Sequence, residues 1–146
     1  MKANVRKLYV DKSKNFLYTL VKQIEYMKDL SDDTIEDICY SMKKEYVEPG
    51  QDVFRTNDPA SNIYFIFNGS INIFINLNMQ DVLLETLYKG CTIGGQGVLG
   101  KYKTQFLGKA QEPTSLYILE KETLRKLRKE LRDLDDAMTA SERSLL

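Results

Sequence analysis

The chain has 146 residues, 42% of them hydrophobic and 29% charged, with 21 basic side chains balancing 21 acidic ones and no histidine. That length suits one domain burying roughly two-thirds of its unfolded surface, and the charge balance offers no global attraction for nucleic acid or an anionic membrane. Without histidine, the serine-histidine and cysteine-histidine nucleophile systems and the common zinc sites are excluded, so the chain reads as a non-enzyme without a metal.

No apolar run approaches the roughly 20 residues that span a bilayer, so neither a transmembrane helix nor a signal peptide is expected. Cys39 and Cys91 stand far apart, without the close pairing of a zinc or redox motif, and read as reduced thiols in a cytoplasmic setting. That setting includes the cytoplasmic side of a membrane protein.

After an extension over 1–13, Phe16, Leu20, Ile24, Met27 and Leu30 recur at helical spacing, which predicts a helix over 14–29. Ser31 is placed to cap a second, to about residue 44, with Asp32 and Asp33 at its positive end and Ile35, Ile38, Cys39 and Met42 on one face. From Tyr46 the character changes: Pro49-Gly50 and Asn57-Asp58-Pro59 punctuate short runs such as Asp52-Val53-Phe54. Residues 63–67 are β-branched and aromatic, Asn68-Gly69 is a two-residue hairpin signal, and Ile71, Ile73 and Ile75 alternate with Asn72 and Asn76. A β-hairpin is predicted there, with further strands at 82–88, 105–110 and 115–119.

After Glu120 the helical period returns, as Leu124, Leu127, Leu131, Leu134 and Met138 form a stripe suited to covering the chain's own barrel or to pairing with another copy, the first being favoured. The fold class is therefore α+β, mainly β: a double-stranded β-helix or jelly roll of about eight strands, with two N-terminal helices and a C-terminal helical segment. The divisions are 1–13, 14–45, 46–120 and 121–146 within a single domain.

Between the late strands, residues 90–110 hold six of the eight glycines, as expected where backbone must approach a ligand or turn tightly. The same order of elements, with Glu48-Pro-Gly-Gln-Asp-Val-Phe54, Asn62-Ile-Tyr-Phe-Ile-Phe-Asn-Gly-Ser-Ile-Asn-Ile-Phe74 and Leu87-Tyr-Lys-Gly90, resembles the cyclic nucleotide-binding domain family. That resemblance implies a regulatory module, as in cation channels and kinases, whose ligand is cyclic AMP or cyclic GMP. No other cofactor is implied.

It also implies a phosphate-binding cassette at 93–110, usually Phe-Gly-Glu at the start and an arginine six positions before a closing alanine. Ile93-Gly94 matches the opening, but Gly95 stands at the ribose-binding glutamate and Thr104 at the phosphate-binding arginine. Losing both costs about 3–6 kcal/mol, enough to carry a micromolar site to roughly 0.1–10 mM. The candidate ligand-binding residues are Gly94, Gly95, Gln96 and Gly97 through their amides, with Lys103, Thr104 and Gln105 near the phosphate. Lys101 and Lys109 flank them. Partners expected are the other domains of a larger protein or a protein docked on the C-terminal helix, with no nucleic acid and no membrane insertion. The alternative is a homology domain that binds no nucleotide and serves as a structural interaction module.

Overall fold

A computed structural model describes residues 12–145, so 1–11 of the N-terminal extension lie outside the described residues. Helix α1 (Lys12–Val21) stops short of the helix expected over 14–29 and is followed by a 3₁₀ turn at Glu25–Met27. Ile24 and Tyr26 are both buried, although two positions along a helix point about 200° apart. Breaking the helix at Ile24 (φ −76°, ψ 124°) lets both reach the core, and burial overrides a sequence that contains no helix breaker. Helix α2 (Asp32–Tyr40) begins as its residues predict: the Ser31 hydroxyl accepts the Thr34 N–H at 3.2 Å. It ends before residue 44 because Lys43 already pairs in strand β1.

Eight strands follow: β1 (Lys43–Val47), β2 (Asp52–Phe54), β3 (Asn62–Asn68), β4 (Ser70–Leu77), β5 (Gln80–Tyr88), β6 (Thr92–Ile93), β7 (Leu107–Ala110) and β8 (Thr114–Glu120). They form two four-stranded antiparallel sheets, ordered β1-β8-β3-β6 and β2-β7-β4-β5. The pairs nest, β4 with β5, β3 with β6, β2 with β7 and β1 with β8, as a long hairpin rolled upon itself. This is the jelly roll expected from the strand pattern.

The Asn68-Gly69 hairpin does not form. β3 and β4 belong to different sheets, and Gly69 (φ +95°) is the corner between them. A Cβ there would lie 2.5 Å from the Thr114 hydroxyl oxygen and 2.7 Å from the Pro113 carbonyl, so glycine is required by the neighbouring β7–β8 connection rather than by a two-residue turn. The tight hairpin lies one strand later, between β4 and β5, where Asn78 (φ 52°) and Met79 (φ 66°) both adopt the left-handed conformation of a type I′ turn.

Alternation on β3 and β8 divides the core in two. Ile66, Leu116 and Ile118 fill the roll with Phe54, Ile71 and Ile73, while Ile63, Phe65, Tyr117 and Leu119 face the helices. Covered on both sides, β8 is buried from Thr114 to Leu119, and its central residues Leu116–Leu119 are continuously apolar.

The C-terminal segment is two helices, α3 (Lys121–Glu130) and α4 (Arg132–Arg143), broken at the extended Leu131 (φ −116°, ψ 99°). Their stripe covers the chain's own core: Leu124, Leu134 and Met138 are buried with residues of α1 and α2. Asp133 fastens α4 to α2 by accepting the Ser31 N–H at 3.0 Å and the Thr34 hydroxyl at 2.8 Å, as well as the Leu134 N–H at 2.9 Å. Burial alone would raise this carboxyl, but these donors together hold it below its ordinary 3.8. A depressed carboxylate contributes stability that is complete above the unfolded value and lost as the pH falls through the folded one. Asp133→Asn should therefore cost about 0.5–2 kcal/mol at neutral pH and flatten the stability curve below about pH 4. Urea midpoints taken across the acid range check this; parallel curves for the two proteins would refute it.

Candidate functional site

The roll encloses an open cavity of about 910 Å³ between β3, β4, β5 and the β6–β7 connection. One wall is a short ladder of loop on loop. Asn57 N–H donates to the Thr104 carbonyl and Thr104 N–H to that of Asp58, each at 2.7 Å, while Ala60 N–H donates to Tyr102 at 3.0 Å. The far wall is apolar, with Phe54, Tyr64, Ile73, Leu87 and Phe106. Tyr64 accepts a hydrogen bond from the Asn62 side-chain amide at 3.2 Å, and burial pushes its hydroxyl above the ordinary phenolic range.

Six of the seven candidate residues meet at this cavity: Gly94, Gln96, Gly97, Lys103, Thr104 and Gln105. Gly95 faces away, toward the Ile24 side chain, and its carbonyl accepts the Tyr26 hydroxyl at 2.6 Å. Within this loop the chain makes a single 3₁₀ turn, Gly97–Leu99. Two loop glycines answer to chain packing. At Gly94 (φ +95°) a Cβ would lie 2.5 Å from the Asn62 carbonyl, and at Gly97 it would lie 2.9 Å from the Ala60 methyl.

The three loop lysines part company. Lys103 lines the cavity, Lys109 is 3.6 Å from the Asp52 carboxylate, and Lys101 belongs to a separate groove against α3 and α4. Sequence reasoning missed Asp58, Tyr64, Glu85, Tyr102 and Leu145, all of which line the cavity. Asp58 and Pro59 read only as a turn, and the approach of Leu145 has no local signal. Among the described residues no arginine lines the cavity, and its one cation, Lys103, shares the lining with the carboxylates of Asp58 and Glu85. The lining thus has no net attraction for a phosphate, although its three charged residues are solvent-exposed and screened by salt.

The cassette is mechanically joined to the helices. Val98 and Leu99 are buried in one cluster with Leu124, Leu134 and Met138, and the Lys121 ammonium donates to the Gly100 carbonyl at 2.6 Å. A family model for the cyclic nucleotide-binding domain matches residues 44–130. The chain belongs to that family.

Among relatives, a stretch of 119 residues is 21% identical to the potassium channel KAT1 of Oryza sativa subsp. japonica, covering 82% of this chain but 17% of the channel. The fold is that of cAMP-bound PfPKA-R (TM-score 0.73, 19% identity, 81% of this chain and 42% of that one). It is equally that of the C-linker/CNBHD of zELK channels, crystallized in the presence of cAMP (TM-score 0.73, 19% identity, 97% and 67%). Among the described residues no helix is long and apolar enough to cross a membrane.

Proposed function

We propose that this cyclic nucleotide-binding domain is a regulatory module of a larger signalling protein, a channel or a kinase, in which occupancy of the roll cavity biases the position of α3 and α4. The observation that carries this reading is the shared burial of the cassette residues Val98 and Leu99 with Leu134 and Met138 of α4. A ligand that displaces the turn must disturb the seat of the helix, which is the differential contact a population shift needs. That no arginine lines the cavity among the described residues supports a weak nucleotide affinity.

Calorimetric titration with cyclic AMP and cyclic GMP tests it, with dissociation constants of roughly 0.1–10 mM expected. Lys103→Ala should weaken binding about three- to tenfold further, because it removes the one cation that the described residues bring to the cavity. Micromolar binding would refute the weakened site.

A second reading is favoured by Leu145, which reaches the cavity from beyond α4 and lines it beside the cassette. In that reading the domain binds no nucleotide, its cavity is closed by its own chain, and it serves as an interaction module. Absence of heat at millimolar ligand selects it.

A further inference from the structure

A second cavity, of about 630 Å³, lies outside the roll between residues 98–101 and the two C-terminal helices. Five cations line it, against two carboxylates, Asp135 and Glu142. Both carboxylates are already engaged by one partner: Arg128 donates from Nε to Asp135 at 2.8 Å and from its terminal nitrogens to Glu142 at 2.8 and 3.1 Å. The other four cations, Lys101, Lys121, Arg125 and Lys129, retain most of their charge. Lys121 donates to a neutral carbonyl, and Arg125 has only the exposed Glu122 at 3.5 Å. Neither Lys101 nor Lys129 has an ion pair among the described residues.

Residues 121, 125 and 129 recur every four positions along α3, so they share one face, and Lys101 comes from the loop opposite. Lys121 is placed by its bond to the Gly100 carbonyl; Lys101, Arg125 and Lys129 add like charge around it, and repulsion among like charges on adjacent turns is unfavourable without a counter-charge. A single phosphate would reach only part of the group, whereas an anion bearing several phosphates spans it.

We propose that this groove is a binding site for a small polyphosphorylated anion, either a soluble polyphosphate or the headgroup of a phosphoinositide, held by Lys101, Lys121, Arg125 and Lys129. Such a ligand bridges the cassette loop to α3 and holds the helices against the roll, so it acts on the same moving part as the roll cavity without occupying it.

The test uses calorimetry with inositol hexakisphosphate, and in parallel vesicles of phosphatidylcholine with and without phosphatidylinositol bisphosphate. One-to-one binding that weakens with salt is expected. Lys101→Ala or Lys129→Ala should each weaken it about tenfold and the pair about one hundredfold. Both side chains are exposed, and an unchanged thermal midpoint confirms that the variants fold. Lys103→Ala, in the roll, should leave this binding intact whatever it does to cyclic nucleotide. Response to the free phosphate identifies a soluble ligand, and response only to the doped vesicles identifies the lipid. Failure of both probes to bind, or binding that the double variant leaves unchanged, would overturn the proposal.

Discussion

Gly69→Ala and Gly94→Ala should each lower the unfolding free energy by about 2–5 kcal/mol, a large part of what a domain this size has. Both residues have φ of +95°, and left-handed backbone costs a residue with a Cβ about 1–2 kcal/mol. The remainder is overlap. The added carbon would sit 2.5 Å from Thr114 Oγ1 in one case and 2.5 Å from the Asn62 carbonyl oxygen in the other, and relieving such crowding typically costs about 1–3 kcal/mol. Gly95→Ala is the control in the same loop. Its Cβ would meet Ile24 at an ordinary 3.6 Å, and its φ lies outside the left-handed region, so a change of less than about 1 kcal/mol is expected. Urea midpoints decide the matter: if Gly94→Ala is no worse than Gly95→Ala, the loop relaxes and close packing against β3 is not why glycine stands there. A loss of nucleotide binding in a Gly94 variant would, for the same reason, say little about the ligand.

The second large effect is expected at Arg128. Its guanidinium joins α3 to α4 through Asp135, Thr139 and both oxygens of Glu142, and its side chain is only 22% exposed. Arg128→Met keeps much of the packing but leaves two carboxylates without their shared cation, at a cost of about 1–3 kcal/mol. Because Leu134 and Met138 still anchor α4, the helix should loosen rather than leave. Amide exchange in α4 should then rise about five- to one-hundredfold while that of β3 and β8 rises less. Arg128→Lys should restore little, since an ammonium cannot match the two-pronged bond to Glu142. Exchange in α4 indistinguishable from that of the unaltered protein would show that the apolar seat alone holds the helix.

Much of the fold was legible because it is written in local periodicity. The cap at Ser31, the alternation of Ile71, Ile73 and Ile75 with asparagines and the leucine stripe from 124 to 138 all place side chains by local pattern alone. The misreadings share one physical cause. Asn68-Gly69 has the local chemistry of a hairpin, yet Gly69 answers to Pro113 and Thr114, some 45 residues away. The helix expected to reach residue 29 ends early because Ile24 and Tyr26 must both be buried, a demand set by the cassette and α4 rather than by their neighbours.

At the candidate site, six of the seven residues that the family resemblance named line one cavity, while Gly95 turns toward Ile24. The sequence could not distribute Lys101, Lys103 and Lys109 among a groove, a cavity and an ion pair, because alternate residues of an irregular loop follow no period. Nor could it bring Asp58, Glu85 and Leu145 to the same cavity. By itself the sequence determined most of the helical and strand segments and that glycines crowd the late loop. Only the tertiary structure decided which strands pair, which lysine meets which surface, and how the cassette is tied to the terminal helices. Those are contacts between residues distant along the chain, set by burial and charge in three dimensions, and no local pattern encodes them.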